Sequence, residues 1–320
     1  IFLEKDFKIR KIDFVDLNYI DSEDKKNILN LSRKNNDYNL NSTAFNANSF
    51  LSNLLENDNS SKNELFANNF NLDLYFEKIY LNDKTKIENL TGKIQLLNNK
   101  VDFANINGTF EDGKNITFSI KSNNDQKVTT LFSSKAEPLV ERYKFIKGYE
   151  GGYLDFYSIN KNGKTNSTLK LFDFKLQELP ALTKLLTLAS LQGIADMLSG
   201  EGIRFNELEM NFTNERNLMT LDELYVIGPA ISVLMSGYIE KDKLVSLRGT
   251  LVPATTINKT IGSIPILGKI LVGSKTGEGV FGVSFKVKGH PNKLETSVNP
   301  LKTLTPRFIT RTLEKLKKTN

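Results

Sequence analysis

Cysteine is absent from the chain, and histidine occurs once, at His290. The first absence excludes disulfides, zinc fingers, iron–sulfur clusters and thiol nucleophiles. The second excludes a histidine cluster around a metal, and a Ser-His-Asp triad would have to rest on His290 alone. That residue stands in Gly289-His290-Pro291-Asn292, a turn sequence whose polar side chains ordinarily satisfy the turn. No acid, base and nucleophile come together elsewhere, so the chain is not expected to be an enzyme, and no catalytic residue, metal or cofactor is expected. Also missing is any uncharged run of about twenty apolar residues, so no segment plainly spans a membrane. The chain starts at Ile1 with no basic stretch leading into an apolar one, and reads as a piece of a longer protein.

What is present is globular in kind. Of 320 residues, 39% are hydrophobic and 25% are charged, enough to bury a large core. The 43 Lys and Arg against 37 Asp and Glu leave a net charge of +6, spread too thinly to argue for either nucleic acid or lipid head groups as a partner. The glycine-rich stretch 268–279, GKILVGSKTGEG, resembles a phosphate-binding loop only superficially. Gly268 and Gly273 are correctly separated, but Ser274 displaces Lys275 by one position. Gly277 and Gly279 would then break the helix that must face the phosphate.

From Phe70 onward the dominant pattern is alternation with period two, which sends successive side chains to opposite faces of a sheet. Phe70, Leu72, Leu74 and Phe76 lie on one face, with Asn71, Asp73, Tyr75 and Glu77 between them facing water. The pattern returns at Ile116, Phe118 and Ile120; at Leu169 and Leu171; at Ile231, Val233 and Met235; and at Val283, Phe285 and Val287. Asn98-Asn99, Asp112-Gly113 and Asn162-Gly163 are turn signals between such runs, so the chain is predicted to be an antiparallel meander. Alternation alone does not separate a sandwich from an open trough, because both are apolar on one face and polar on the other.

Helices are predicted in three places. The first is near 47–56, followed by a polar loop over 57–63. The second spans 180–199, with Pro180 at its start and Gly200 past its end, and its leucines spread round the wheel predict burial on more than one side. The third is a basic amphipathic helix over 305–320, in which Thr305 caps, Pro306 takes the first turn, and Phe308, Ile309, Leu313 and Leu316 form the apolar side. Between the last two, residues 261–272 carry one charge, Lys269, among apolar residues broken by Gly262, Pro265 and Gly268. That segment is too short for a bilayer and too irregular for a strand, so it must be buried by protein or lipid. The glycines that follow are expected to be bend glycines.

The order LPALTKLLTLASLQGIADMLSGEGIRF, GTLVPATTINKTIGSIPILGKILVG, GEGVFGVSFKVKG and SVNPLKTLTPRF resembles the C-terminal region of the AsmA-like proteins of Gram-negative bacteria, nearest the YhdP-type branch. The resemblance covers about residues 136–312; upstream, FNANSFLSNLLE and the strands after it are more weakly similar to the repetitive part of such proteins. Thr255-Thr256 and Lys302 depart from the family's usual residues.

The resemblance implies a mainly β fold with a few helices: a long curled antiparallel sheet forming an apolar groove, with helices closing its C-terminal end. Residues 1–135 would be repetitive groove, 136–304 the family's C-terminal region and 305–320 the basic helix. It further implies a periplasmic protein, anchored in the inner membrane by a segment outside this piece, that moves phospholipids toward the outer membrane. The alternating residues from Phe70 to Met235 would then line the groove. Leu185, Leu188 and Ile194, with Ile261, Ile264, Ile266, Leu267 and Ile270, would gate its end. Arg307, Phe308, Arg311 and Lys315 would meet the outer membrane. The alternative carried alongside is a periplasmic scaffold for outer-membrane protein assembly, whose sheet edge receives a client strand.

Overall fold

The computed structural model describes residues 2–3, 9–35, 37–48, 69–97, 100–123, 125–142, 148–177, 180–188, 193, 195–196, 200–253, 282–291 and 293–301. Among them lie eighteen strands. The first five are β1 (Phe2–Leu3), β2 (Ile9–Lys11), β3 (Phe14–Ile20), β4 (Lys26–Lys34) and β5 (Asp37–Asn46). Next come β6 (Phe70–Tyr80), β7 (Lys86–Leu97), β8 (Lys100–Phe110), β9 (Asn115–Asn123) and β10 (Gln126–Ser133). The series continues with β11 (Tyr149–Lys161), β12 (Lys164–Leu176), β13 (Ile203–Glu215), β14 (Leu218–Ile227) and β15 (Ile231–Glu240). It ends with β16 (Leu244–Pro253), β17 (Gly282–His290) and β18 (Lys293–Leu301). Helix α1 (Glu137–Val140) precedes β11 and α2 (Pro180–Leu188) precedes β13.

Strands β3 to β18 form one sixteen-stranded sheet in chain order, and its two outer strands do not pair with each other, so it is not a closed barrel. Strands β1 and β2 form a separate antiparallel pair. The chain is therefore mainly β, as the period-two pattern predicts, and its strands form one long open sheet, the form that the family resemblance implies. One pairing departs from the predicted meander: β5 and β6 run parallel. A parallel pair needs a crossover of a dozen or more residues, and the link between Asn46 and Phe70 is long enough to make one. The Asn162-Gly163 turn has φ of 52° and 79°, the left-handed pair that a tight two-residue hairpin demands.

The chain divides into two compact units, one of Ile1–Tyr143 with Tyr153–Asn162 and one of Lys144–Gly152 with Gly163–Asn320. The first has its core at one end of the sheet, where Ala47, Phe76, Ile79, Leu81, Ile87 and Phe110 are buried together. Beside it, Arg142 donates from Nε to Pro138 O at 3.0 Å and from its terminal nitrogens to Asn48 O, Asn48 Oδ1 and Leu81 O, tying α1 down. In the second unit Tyr149, Phe174 and Phe205 stack in series with centroids 5.4 Å apart, while Tyr225 and Val252 form a further buried pair flanked by Ile227 and Leu234.

Helix α2 starts at Pro180 as predicted and lies against β18, the outer strand of its unit. Its residues are not buried all round. Leu185 and Leu186 are buried, whereas Leu188 is exposed. At about 100° per residue, Leu188 falls about 60° behind Leu185, on the side away from Leu186. The predicted helices near 47–56 (beyond Asn48) and over 305–320 lie outside the described residues, as do segment 261–272 and the glycine stretch 268–279.

Candidate functional site

Strand pairing converts period-two sequence into rows of side chains that run across the sheet. In the first unit one row passes through Val15, Leu31, Leu40, Leu74, Gly92, Ile106, Phe118, Leu131 and Phe156, one residue from each of β3 to β11. Every member is apolar. The row one residue along, on the other face, is Asp16, Asn30, Asn41, Tyr75, Thr91, Asn107, Thr117, Phe132 and Asp155. Seven of these nine are polar, so the sheet has one apolar and one wet face.

The second unit also has a continuous apolar face, while its other face is polar around Arg248 and Lys286 but buries Tyr225 and Val252 with Ile227 and Leu234. Leu169, Met210, Leu224, Met235, Gly249, Phe285 and Val298 form one row across β12 to β18. Leu171, Leu208, Val226, Val233, Leu251 and Val283 form the next row on the same face. Glycine at 249 is required by a neighbour: a Cβ built there would stand 2.5 Å from the Phe285 ring, which lies across the position.

These faces are not covered as a sandwich core would be. Leu31, Leu40, Leu74, Ile106, Phe118, Leu131 and Phe156 are each only half-buried, as are Leu169, Met210, Leu224 and Met235. Among the described residues the second sheet is only the two-stranded β1–β2 pair, beside which Ile12 N donates to the Tyr38 hydroxyl at 3.4 Å on the apolar side of β5. The apolar surface is closed at particular places instead, at the Phe76 core of the first unit and around Ile231, Leu251 and Val283 of the second, which are fully buried.

The lining residues expected from sequence fall into these faces. Phe70, Leu72, Leu74 and Phe76 share one side of β6, with the Phe70 ring edge-on to Tyr38 at 5.2 Å. Ile116, Phe118 and Ile120 share one side of β9 and pair with Gly108, Ile106 and Ala104. Leu169 and Leu171 share a side of β12, and Val233 and Met235 with Ile231 a side of β15. Phe76, Ile120, Leu171 and Ile231 are buried, so they close the face more than they line it. Of the expected gate, Leu185 is buried and Leu188 exposed in α2; Ile194, Ile261, Ile264, Ile266, Leu267 and Ile270 lie outside the described residues. So do the expected membrane contacts Arg307, Phe308, Arg311 and Lys315. Sequence reading missed Leu31, Leu40, Ile106, Leu131, Phe156, Met210 and Leu224, whose strands mix polar residues or glycine into the alternation and dilute the signal.

Asp21 is a charged group arranged for structure. Burial pushes the Asp21 carboxyl up, but hydrogen bonds from Lys25 N, Asn46 Nδ2, Asn27 Nδ2 and Glu23 N outweigh it and hold the group down at about 2. Burial lowers Lys127 and Arg142. Among the described residues no group of three or more His, Asp or Glu could hold a metal ion, and no helix is long and apolar enough to cross a membrane. No family model, curated protein or solved structure matches the chain.

Proposed function

We propose that this chain carries lipid, with acyl chains lying on the apolar face and head groups left in water. The observation that carries the reading is the row from Val15 to Phe156, apolar across nine consecutive strands yet only half-buried. An exposed surface of that extent is costly unless something apolar occupies it. Each acyl CH₂ removed from water contributes about 0.8 kcal/mol, so a continuous apolar track lowers the barrier to moving a lipid through water. The track needs no reactive group and no deep binding minimum, because a deep minimum would halt movement. The sequence resemblance to AsmA-like proteins supports the same reading, and with it a periplasmic setting and phospholipid as the cargo.

Native mass spectrometry with lipid extraction, on protein purified from a bacterial envelope in mild detergent, tests it. Phospholipid is expected on the wild-type chain and on Asn107→Asp, which alters the wet face. It is expected to be lost in a Leu74→Asp, Phe118→Asp variant that keeps its β circular dichroism. A folded, lipid-free wild type overturns the reading.

One observation favours the assembly scaffold as a second reading. Outer strand β3 exposes Phe14 at 59% and Ile20 at 70% on one face and Leu17 and Tyr19 on the other, and an open apolar edge can accept a client strand. Crosslinking from position 17 to an unfolded outer-membrane β-protein, with no lipid recovered, would favour it.

A further inference from the structure

The wet face of the second unit holds two cations where sheet chemistry disfavours them. Arg248 on β16 and Lys286 on β17 are direct cross-strand partners. Side chains in that relation have Cβ atoms about 5 Å apart, and like charges so placed repel. Neither makes an ion pair or hydrogen bond with any described residue. Their row continues into Ser236 on β15 and Ser297 on β18, so two hydroxyls flank the two charges. The next row on this face supplies Thr250 and Ser284.

These side chains line a groove of about 500 Å³. Its wall includes members of two rows of the wet face, Ser236, Arg248, Lys286 and Ser297 in one and Leu234, Thr250 and Ser284 in the other, with Met235, Gly249, Phe285 and Val298 of the intervening row also among the lining residues. Leu234 bounds one end. Glu223 is the one carboxylate of the lining, and it already has an interaction of its own.

We infer that this groove binds a phosphate-bearing ligand. Two adjacent cations with convergent hydroxyls match the charge and the several acceptor oxygens of a phosphate, and a bound anion relieves the repulsion between Arg248 and Lys286. The source of the phosphate is either a free phosphate ester or a phospholipid head group reaching the wet face. The site is independent of the lipid track, because its side chains project from the opposite side of the sheet.

The test uses the whole chain at fixed ionic strength near physiological salt, about 0.15 M, so that general screening is constant. Inorganic phosphate is titrated by calorimetry, and vesicles of phosphatidylglycerol in phosphatidylcholine are tested by co-flotation. The double variant Arg248→Gln, Lys286→Gln is expected to lose at least about tenfold in affinity, the size of a lost charge-assisted contact. Its thermal melt and the lipid extracted from its apolar face are expected to stay as in wild type. Phosphate binding lost in the variant assigns a free phosphate ester; flotation lost in the variant without phosphate binding assigns a head group. Binding of neither probe by the wild type, or binding that survives both substitutions, overturns the inference. Lys170→Gln, on the same face but outside the groove, is compared with each single variant, Arg248→Gln and Lys286→Gln, to control for net charge.

Discussion

Asp21 shows how much one carboxylate can organise. It accepts hydrogen bonds from two backbone amides of its own turn and from the side chains of Asn27 and Asn46, and so joins the β3–β4 turn to the end of β5. Its folded pKa of about 2 is below the ordinary 3.8, so its stabilisation is complete above the ordinary value and is lost as pH falls through the folded one. Asp21→Asn is expected to lower Tm at neutral pH and to flatten the fall in Tm between about pH 4 and 2. Thermal melts across that range check it. Ser42 makes the opposite point. Its hydroxyl is buried beside Leu29 and Phe76 with no partner among the described residues. An unsatisfied buried hydroxyl costs free energy that a methyl does not, so Ser42→Ala is expected to stabilise by roughly 1 kcal/mol in urea denaturation. Gly249→Val, by contrast, drives a side chain into the Phe285 ring, and is expected to cost about 1–3 kcal/mol in the same assay.

At the level of elements, α1 cannot stand on its own propensity. It has four residues, and its cap residue Ala136 makes no side-chain hydrogen bond. Arg142 holds it through three backbone carbonyls and one side-chain oxygen. Arg142→Met keeps the apolar stem and removes the donors, and is expected to cost about 2 kcal/mol, with faster hydrogen exchange at Leu139 and Val140. The same element shows the limit of reading from sequence. Four residues carry no helical period, so α1 left no trace, whereas Leu72, Leu74 and Phe76 announced both their strand and its face. Strand direction left no trace either: β5 and β6 alternate identically whether they run parallel or antiparallel, and only the length of the link between them bears on it. For α2 the spread of leucines suggested burial on more than one side; among its described residues Leu185 and Leu186 are buried while Leu188 is in water. The cation pair of β16 and β17 was invisible because it is created by register, which makes neighbours of Arg248 and Lys286, 38 positions apart in the chain.

Among the described strands, every pairing joins strands adjacent in sequence. Stability is then close to a sum of each strand's own terms and those with its two neighbours, as in repeat proteins. Amide hydrogen exchange is expected to be slowest in interior strands of each unit and fastest in β3 and β18, each of which has one neighbour. Gly249→Val is expected to accelerate exchange around β15 to β17 while leaving β7 to β9 at their wild-type rates. Uniform acceleration throughout would show one cooperative block instead.

The two unpaired outer strands have a consequence for descent. A barrel fixes its strand number when it closes, since diameter, tilt and stagger must agree. An open sheet imposes no such condition. A duplicated hairpin added at an edge would extend the apolar face by roughly 10 Å, two strand spacings, and break no existing pairing. The extent of the apolar face is therefore a heritable quantity that tandem duplication adjusts in fixed steps, as a rule is lengthened by adding divisions.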